Sequence, residues 1–182
     1  MKNTIKITTC GIFSALGTVL LLGTNIPIFL YTVPAIVGIL FLIPCLELGA
    51  KWAFLCYGVT SVLGLILPTE REALVMYIGL LGFYPIVKIL IERLKSRIVG
   101  TVLKTLLFNA ALVGCFLVII KVLGLNVLQN EHFSATVMAV GILLIGNLAF
   151  IVYDIALTRG INLYFIKFRR SVRRALRMKN DL

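Results

Sequence analysis

Two ionisable residues, Lys88 and Asp154, lie inside stretches that are otherwise apolar enough to cross a membrane. A charge at membrane depth is costly and is usually paired or functional. Span counting places both residues about one turn inside the same end of their helices, so an ion pair between the two helices is one interpretation. The alternative is that Lys88 extends toward the headgroups and that Asp154 is a helix-end carboxylate. The sequence leaves both open.

Three other polar residues, Tyr84, Asn109 and Asn147, lie deeper in apolar segments. An isolated amide or phenol is poorly solvated in hydrocarbon, so these side chains are expected to face one another or a cavity. Hydrogen bonding between helices would explain them, and contact with a ligand is the alternative.

Further polar residues lie in loops and helix ends that are predicted to lie on the outer side of the membrane. There they would form a polar cup. Together with two of the deeper residues they are the candidate substrate-binding set: Asn25, Tyr31, Glu70, Tyr77, Tyr84, Asn126, Asn130, His132 and Asn147. Solvation alone is the alternative explanation for each loop residue.

The sequence lacks the motifs that indicate nucleotide binding or hydrolytic chemistry. The sequence has no P-loop, no HExxH and no GxSxG, and its one histidine, His132, lies in a loop. Its cysteines, Cys10, Cys45, Cys56 and Cys115, lie in apolar stretches without metal-ligand spacing, and we interpret them as packing residues and not as disulfides. No catalytic residue, metal site or cofactor is therefore expected, and the chain is not expected to be an enzyme.

The composition predicts a protein that folds in lipid. Of 182 residues, 60% are hydrophobic and 14% are charged, and the mean hydropathy is +1.08. A net charge of +11 suggests nucleic acid at first sight, but in a membrane protein it is explained by cytoplasmic Lys and Arg facing anionic lipid. We therefore expect membrane lipid and no nucleic acid as a partner.

Hydrophobic stretches predict an all-α membrane protein, a compact bundle of about six transmembrane helices. The spans fall at about 7–23, 28–46, 50–67, 73–91, 99–123 and 133–157, and Pro34 and Pro44 are expected to kink or unwind the second. Residues 1–160 would form the transmembrane domain. Residues 161–182 would form a cytoplasmic tail, a cationic amphipathic interfacial helix. Its basic residues would attract anionic lipid, and its apolar stripe, which includes Phe165 and Phe168, would lie in the membrane interface.

The distribution of cations predicts the orientation. Most Lys and Arg fall on one alternation of sides, and the other side has little beyond Arg71 and Lys121. Positive loops stay in the cytoplasm, so we expect the protein in the plasma membrane of a bacterium with both termini on the cytoplasmic side.

Small residues on the first helix, Gly11, Ser14, Ala15 and Thr18, share one face through their spacing. Such a face lets two helix backbones approach closely. It serves either packing inside the bundle or docking of another membrane protein, for which Gly11, Ala15 and Thr18 are the candidates.

The architecture resembles the substrate-binding S components of energy-coupling factor (ECF) vitamin transporters. The resemblance rests on six short helices, a basic start leading into Thr9-Cys-Gly-Ile-Phe-Ser-Ala-Leu-Gly17, and a second segment with Pro34 in Val33-Pro-Ala-Ile36. The segments from Gly82 to Lys88 and from Gly146 to Asp154 are also similar to those of a group of small bacterial membrane proteins.

The resemblance implies capture of a vitamin or related small molecule from outside. It also implies a transmembrane coupling subunit docked on the first helix and separate ATPases that supply energy. Two other classes stay open: a scaffold of the cell envelope without transport activity, and a small secondary transporter or channel in which Lys88 and Asp154 would carry coupling charge.

Overall fold

The computed structural model describes residues 3–93, 97–123, 135–170 and 172. These residues form helices and turns, and no strand occurs among them. The α-helices are α1 (Asn3–Leu22), α2 (Thr32–Leu40), α3 (Leu42–Glu47), α4 (Ala50–Ile66), α5 (Arg71–Met76), α6 (Tyr84–Ile91), α7 (Arg97–Leu123) and α8 (Ala135–Leu163). Two short π-helical turns, Tyr77–Leu81 and Tyr164–Phe168, follow α5 and α8.

Within the described residues, four helical segments are long and apolar enough to cross a membrane: Asn3–Asn25, Arg71–Ile91, Ile98–Lys121 and Val140–Phe168. Two further apolar segments, Thr32–Glu47 and Ala50–Ile66, are shorter. The predicted all-helical, membrane-type architecture is therefore confirmed at this level.

The second segment is broken, as its prolines predicted. It divides at Phe41 into α2 and α3, and Pro34 and Pro44 each lie in the first turn of their helix. A proline is tolerated there because the first backbone N–H groups of a helix have no intrahelical acceptor.

The fourth segment, predicted as one continuous helix, is interrupted by the Tyr77–Leu81 π turn between α5 and α6. Pro85 explains part of this, because it has no N–H to donate to the Leu81 carbonyl one turn earlier. Tyr153 Oη donates to that carbonyl oxygen instead, at 3.0 Å. Tyr57 Oη likewise donates to the Ile78 carbonyl at 2.7 Å. Side chains from α4 and α8 thus satisfy backbone groups that the interruption frees.

The packing of α1 against α4 corrects the prediction for two cysteines. Cys10 of α1 and Cys56 of α4 form a disulfide, whereas Cys45 and Cys115 are free and buried. The two helices approach closely here through small residues, since Ser14 Oγ donates to the Cys56 carbonyl at 3.3 Å. Spacing along the sequence could not reveal this pairing, because the residues are 46 positions apart.

The last helix does not stop at the predicted boundary near residue 160. Gly160 lies inside α8, and helical structure continues through the Tyr164–Phe168 π turn to Arg170. Residues 171 and 173–182, which make up half of the predicted tail, lie outside the described residues.

The first prediction concerns Gly38 of α2, which faces the π turn. An added Cβ would clash with the Leu81 carbonyl and would lie 2.6 Å from Tyr153 Oη. Gly38→Ala should lower the free energy of unfolding in detergent by about 1–3 kcal/mol, the usual cost of overpacking. Gly114→Ala is the matched control, because a Cβ at Gly114 meets nothing within 4 Å. Equal stability of the two variants would contradict this account of the helix break.

Candidate functional site

The Lys88 side chain is fully buried and contacts Asp154, as the sequence suggested. Lys88 Nζ lies 2.5 Å from Asp154 Oδ1 and donates to the Asp154 carbonyl oxygen at 3.0 Å. It also donates to Thr158 Oγ1 at 2.9 Å. The side chain has no exposed area, so it does not extend toward headgroups as the alternative required.

Two more charged residues complete what we call the ion network: Lys88, Glu92, Lys104 and Asp154. Glu92 Oε1 lies 3.0 Å from Lys88 Nζ and 3.1 Å from Lys104 Nζ. Lys104 Nζ also lies 3.4 Å from Asp154 Oδ2. The network joins α6, the turn after it, α7 and α8. It contains two cations and two anions, so its formal charges cancel.

Tyr84 adds a neutral donor to the ion network. Its hydroxyl donates to Asp154 Oδ1 at 2.6 Å, and its ring packs edge-on against Phe150 at a centroid distance of 5.2 Å. Both Asp154 carboxylate oxygens therefore have partners. The residue is buried and its hydroxyl is engaged, so hydrogen bonding between helices, one of the two explanations that the sequence left open, accounts for Tyr84.

Sequence reasoning missed Glu92, Lys104 and Tyr84 as partners of the pair. The spacing of Lys88 and Glu92, four positions apart on one helical face, was an available signal. Lys104 was counted only as a cytoplasmic cation, although it lies two turns inside α7. No spacing rule connects Tyr84 to Asp154, since they are 70 positions apart.

Asn109 of α7 and Asn147 of α8 bond to each other. Asn109 Nδ2 donates to Asn147 Oδ1 at 3.0 Å, and Asn147 Nδ2 donates to Asn109 Oδ1 at 2.9 Å. Each amide also donates within its own helix, to the carbonyls of Thr105 and Leu143. Hydrogen bonding between helices thus accounts for both residues, and Asn147 has no donor left for a substrate.

On the predicted outer side, two contacts join the segment between α1 and α2 to the loop before α5 and to the first turn of α5. Asn25 Nδ2 donates to the Pro68 carbonyl at 2.9 Å, and the Tyr31 hydroxyl donates to Glu72. Partial burial and the Glu72 carboxylate raise the pKa of Tyr31 above the ordinary tyrosine value. Glu70 is exposed beside them.

The remaining substrate candidates are elsewhere. Tyr77 is fully buried in the π turn, its ring lies 5.7 Å from that of Tyr57, and its hydroxyl has no hydrogen-bond partner among the described residues. Asn126, Asn130 and His132 lie outside the described residues. The structure therefore brings Asn25 and Tyr31 to one region and places Tyr77, Tyr84 and Asn147 inside helix packing.

The small residues of α1 divide between two faces. Ser14 and Thr18 are buried, and Thr18 Oγ1 donates to the Ser14 carbonyl at 2.8 Å. Gly11 and Ala15 are exposed, and a Cβ at Gly11 would meet nothing within 4 Å. Thr18 is thus used inside the fold, which corrects its place among the docking candidates. Gly11 and Ala15 remain available.

The described residues contain no group of three His, Cys, Asp or Glu side chains that could hold a metal ion. The chain matches no protein-family model, no curated protein and no solved structure. Its function is therefore argued from the geometry above and from the resemblance in architecture.

The second prediction concerns the ion network. Lys88→Met or Asp154→Leu alone should cost up to about 3–5 kcal/mol in unfolding free energy, because each leaves a buried charge without its main partner. Glu92 and Lys104 compensate in part and lower that cost. The double variant should lose less than either single variant.

Thermal or denaturant unfolding in detergent measures these losses. Lys121→Met, which removes an exposed cation from the other end of α7, is the control and should have little effect. Additive losses in the double variant would show that the pair has no coupling energy.

Proposed function

We propose that this protein is the substrate-capturing membrane subunit of an ECF-type transporter for a vitamin or similar micronutrient, energised by separate ATPases. The proposal depends on one observation, which is that Gly11 and Ala15 form an exposed face of small residues on α1. A helix of a coupling subunit would pack there. The resemblance in architecture supports the same reading.

The exposed face is suited to a helix partner by shape. Gly11 and Ala15 are four positions apart and exposed, and the exposed apolar side chains of Ile7, Ile12 and Leu16 are their neighbours on the helix surface. In lipid, helices associate mainly by close packing, and small residues permit the closest backbone approach. The adjacent face of α1 is occupied by α4, through contacts such as Ser14 to Cys56.

The proposed topology has six spans with both termini in the cytoplasm of a bacterium. The two shorter segments, Thr32–Glu47 and Ala50–Ile66, would complete the four longer ones by crossing a locally thinned bilayer. Lys and Arg predominate on the proposed inner side. In this orientation the ion network lies near the cytoplasm, and the contact of Tyr31 with Glu72 lies outside.

The substrate is proposed to enter from the side of the outer loops, where Asn25, Tyr31 and Glu70 lie. Tyr77, which follows Glu70 by about two helical turns, has a buried hydroxyl that a ligand could engage after local rearrangement. The balanced ion network supports a structural role for Lys88 and Asp154, because neither charge is left to couple transport to an ion gradient.

The third prediction is the topology. In a background without native cysteines, Glu70→Cys should react with an impermeant thiol reagent in intact cells, and Arg93→Cys should react only after permeabilisation. Both positions are exposed in the structure, so access is decided by the side of the membrane. Labelling of Arg93→Cys in intact cells would overturn the orientation.

The fourth prediction tests the function. A small molecule released from the purified protein on denaturation should be identified by mass spectrometry. The protein alone should bind it, and uptake in proteoliposomes should require the coupling subunit, the ATPases and internal ATP. Gly11→Leu should abolish uptake and leave ligand binding intact, because a bulky side chain prevents close helix contact.

Gly114→Leu is the matched control, since Gly114 is an exposed glycine on α7, away from the proposed docking face. It should retain uptake. Uptake by the protein alone from an ion gradient would favour a secondary transporter. Absence of any bound solute, with a stable interaction with envelope proteins, would favour a scaffold.

A further inference from the structure

A groove of about 500 Å³ lies at the end of α8, and it belongs to neither the ion network nor the docking face. Its lining among the described residues is Arg159, Asn162, Leu163, Phe165 and Ile166. Four of these are spaced so that they share one helical face, from Arg159 to Ile166. A cation and an amide thus lie beside an apolar surface.

The other side of this helix end is held against the rest of the protein. Tyr164 is buried, and its hydroxyl donates to Glu47 Oε1 at 3.0 Å. Arg169 Nε lies 3.5 Å from the same oxygen. Because Tyr164 and Arg169 fasten this segment to the end of α3, the groove is kept on the outward side. Ile166 there is 84% exposed.

The same face of α8 continues as an exposed apolar stripe toward the middle of the helix. Leu148, Val152 and Ile155 lie 11, 7 and 4 positions before Arg159, and each is more than half exposed. An acyl chain has room along such a stripe, and the charged end of the stripe is where its headgroup would lie.

Charge complementarity indicates the sign of that headgroup. Arg159 is exposed and forms no ion pair with the described carboxylates, and Lys167 and Arg170 are also exposed nearby in the sequence. A guanidinium recognises a phosphate through paired, charge-assisted hydrogen bonds.

We propose that this groove binds one anionic phospholipid, with its phosphate on Arg159 and Asn162 and its acyl chains along Leu148, Val152 and Ile155. A discrete site of this kind differs from a general attraction of the basic segment to a charged surface, because it has a stoichiometry and a defined position. It does not depend on the proposed transport function.

Native mass spectrometry of the full chain, purified in detergent and titrated with phosphatidylglycerol or phosphatidylcholine, tests the proposal. One phosphatidylglycerol should be retained in preference to phosphatidylcholine. Arg159→Gln should weaken its retention by about tenfold, as expected for one lost charge-assisted hydrogen bond, and Arg159→Lys should weaken it less. Arg71→Gln, which removes an exposed arginine at the start of α5, should have no effect.

Asn162→Asp provides a second variant if Arg159→Gln does not fold, since a carboxylate beside the phosphate should produce a similar loss. Unfolding temperatures in detergent show which variants are folded. Equal retention of the two lipids, or equal losses in Arg159→Gln and Arg71→Gln, would overturn the proposal. Displacement of the lipid by millimolar inorganic phosphate alone would also overturn it, because the site would then be one for a free anion.

Discussion

The burial of the Lys88 ammonium is the constraint on which the second half of the structure depends. A buried cation without partners costs several kcal/mol, so the chain must bring acceptors to it from other segments. Asp154 and Thr158 come from α8, and Glu92 comes from the turn after α6. Lys104 of α7 neutralises the remaining carboxylate charge. The need to satisfy one ammonium thereby fixes the relative positions of three segments.

The same region of α8 also stabilises the broken fourth segment. Tyr153, the residue before Asp154, donates to the Leu81 carbonyl that Pro85 leaves without a partner. Tyr84 packs edge-on against Phe150 beside it, and a second phenylalanine, Phe108, stacks on Phe150 at a centroid distance of 4.2 Å. One turn of α8 therefore satisfies a charge and a backbone break together. That dual use explains why an interrupted helix persists at a place where lipid offers no hydrogen bonds.

Part of this architecture followed from the sequence, and part did not. Pro34 and Pro44 predicted the break in the second segment because proline acts locally. Lys88 and Asp154 were predicted to lie at a similar depth in the membrane. A contact between them was therefore one interpretation, because charges in apolar segments need partners. The π turn was missed, since its residues, Tyr77–Leu81, keep the apolar character of a continuous helix. The division of the α1 stripe was also missed, because Gly11, Ser14, Ala15 and Thr18 are all small and only packing against α4 separates buried from exposed. Contacts between residues that are far apart in the sequence, such as Tyr84 with Asp154 and Cys10 with Cys56, are not indicated by any pattern of neighbouring residues.

The arrangement of contacts suggests which parts of the molecule act as units. One buried cluster, which includes Cys10, Val37, Cys56 and Tyr77, joins α1, α2, α4 and the start of the fourth segment. The other joins α3 and α4 to the fourth, fifth and sixth segments around Tyr84, Phe108 and Phe150, next to the ion network. Because the network is electrically balanced and satisfied, separating its members would expose several charges at once. We infer that movement within the ion network is opposed. The contacts of Asn25 with Pro68 and of Tyr31 with Glu72 each consist of a single hydrogen bond, so the segment between α1 and α2 is held less firmly against the start of α5.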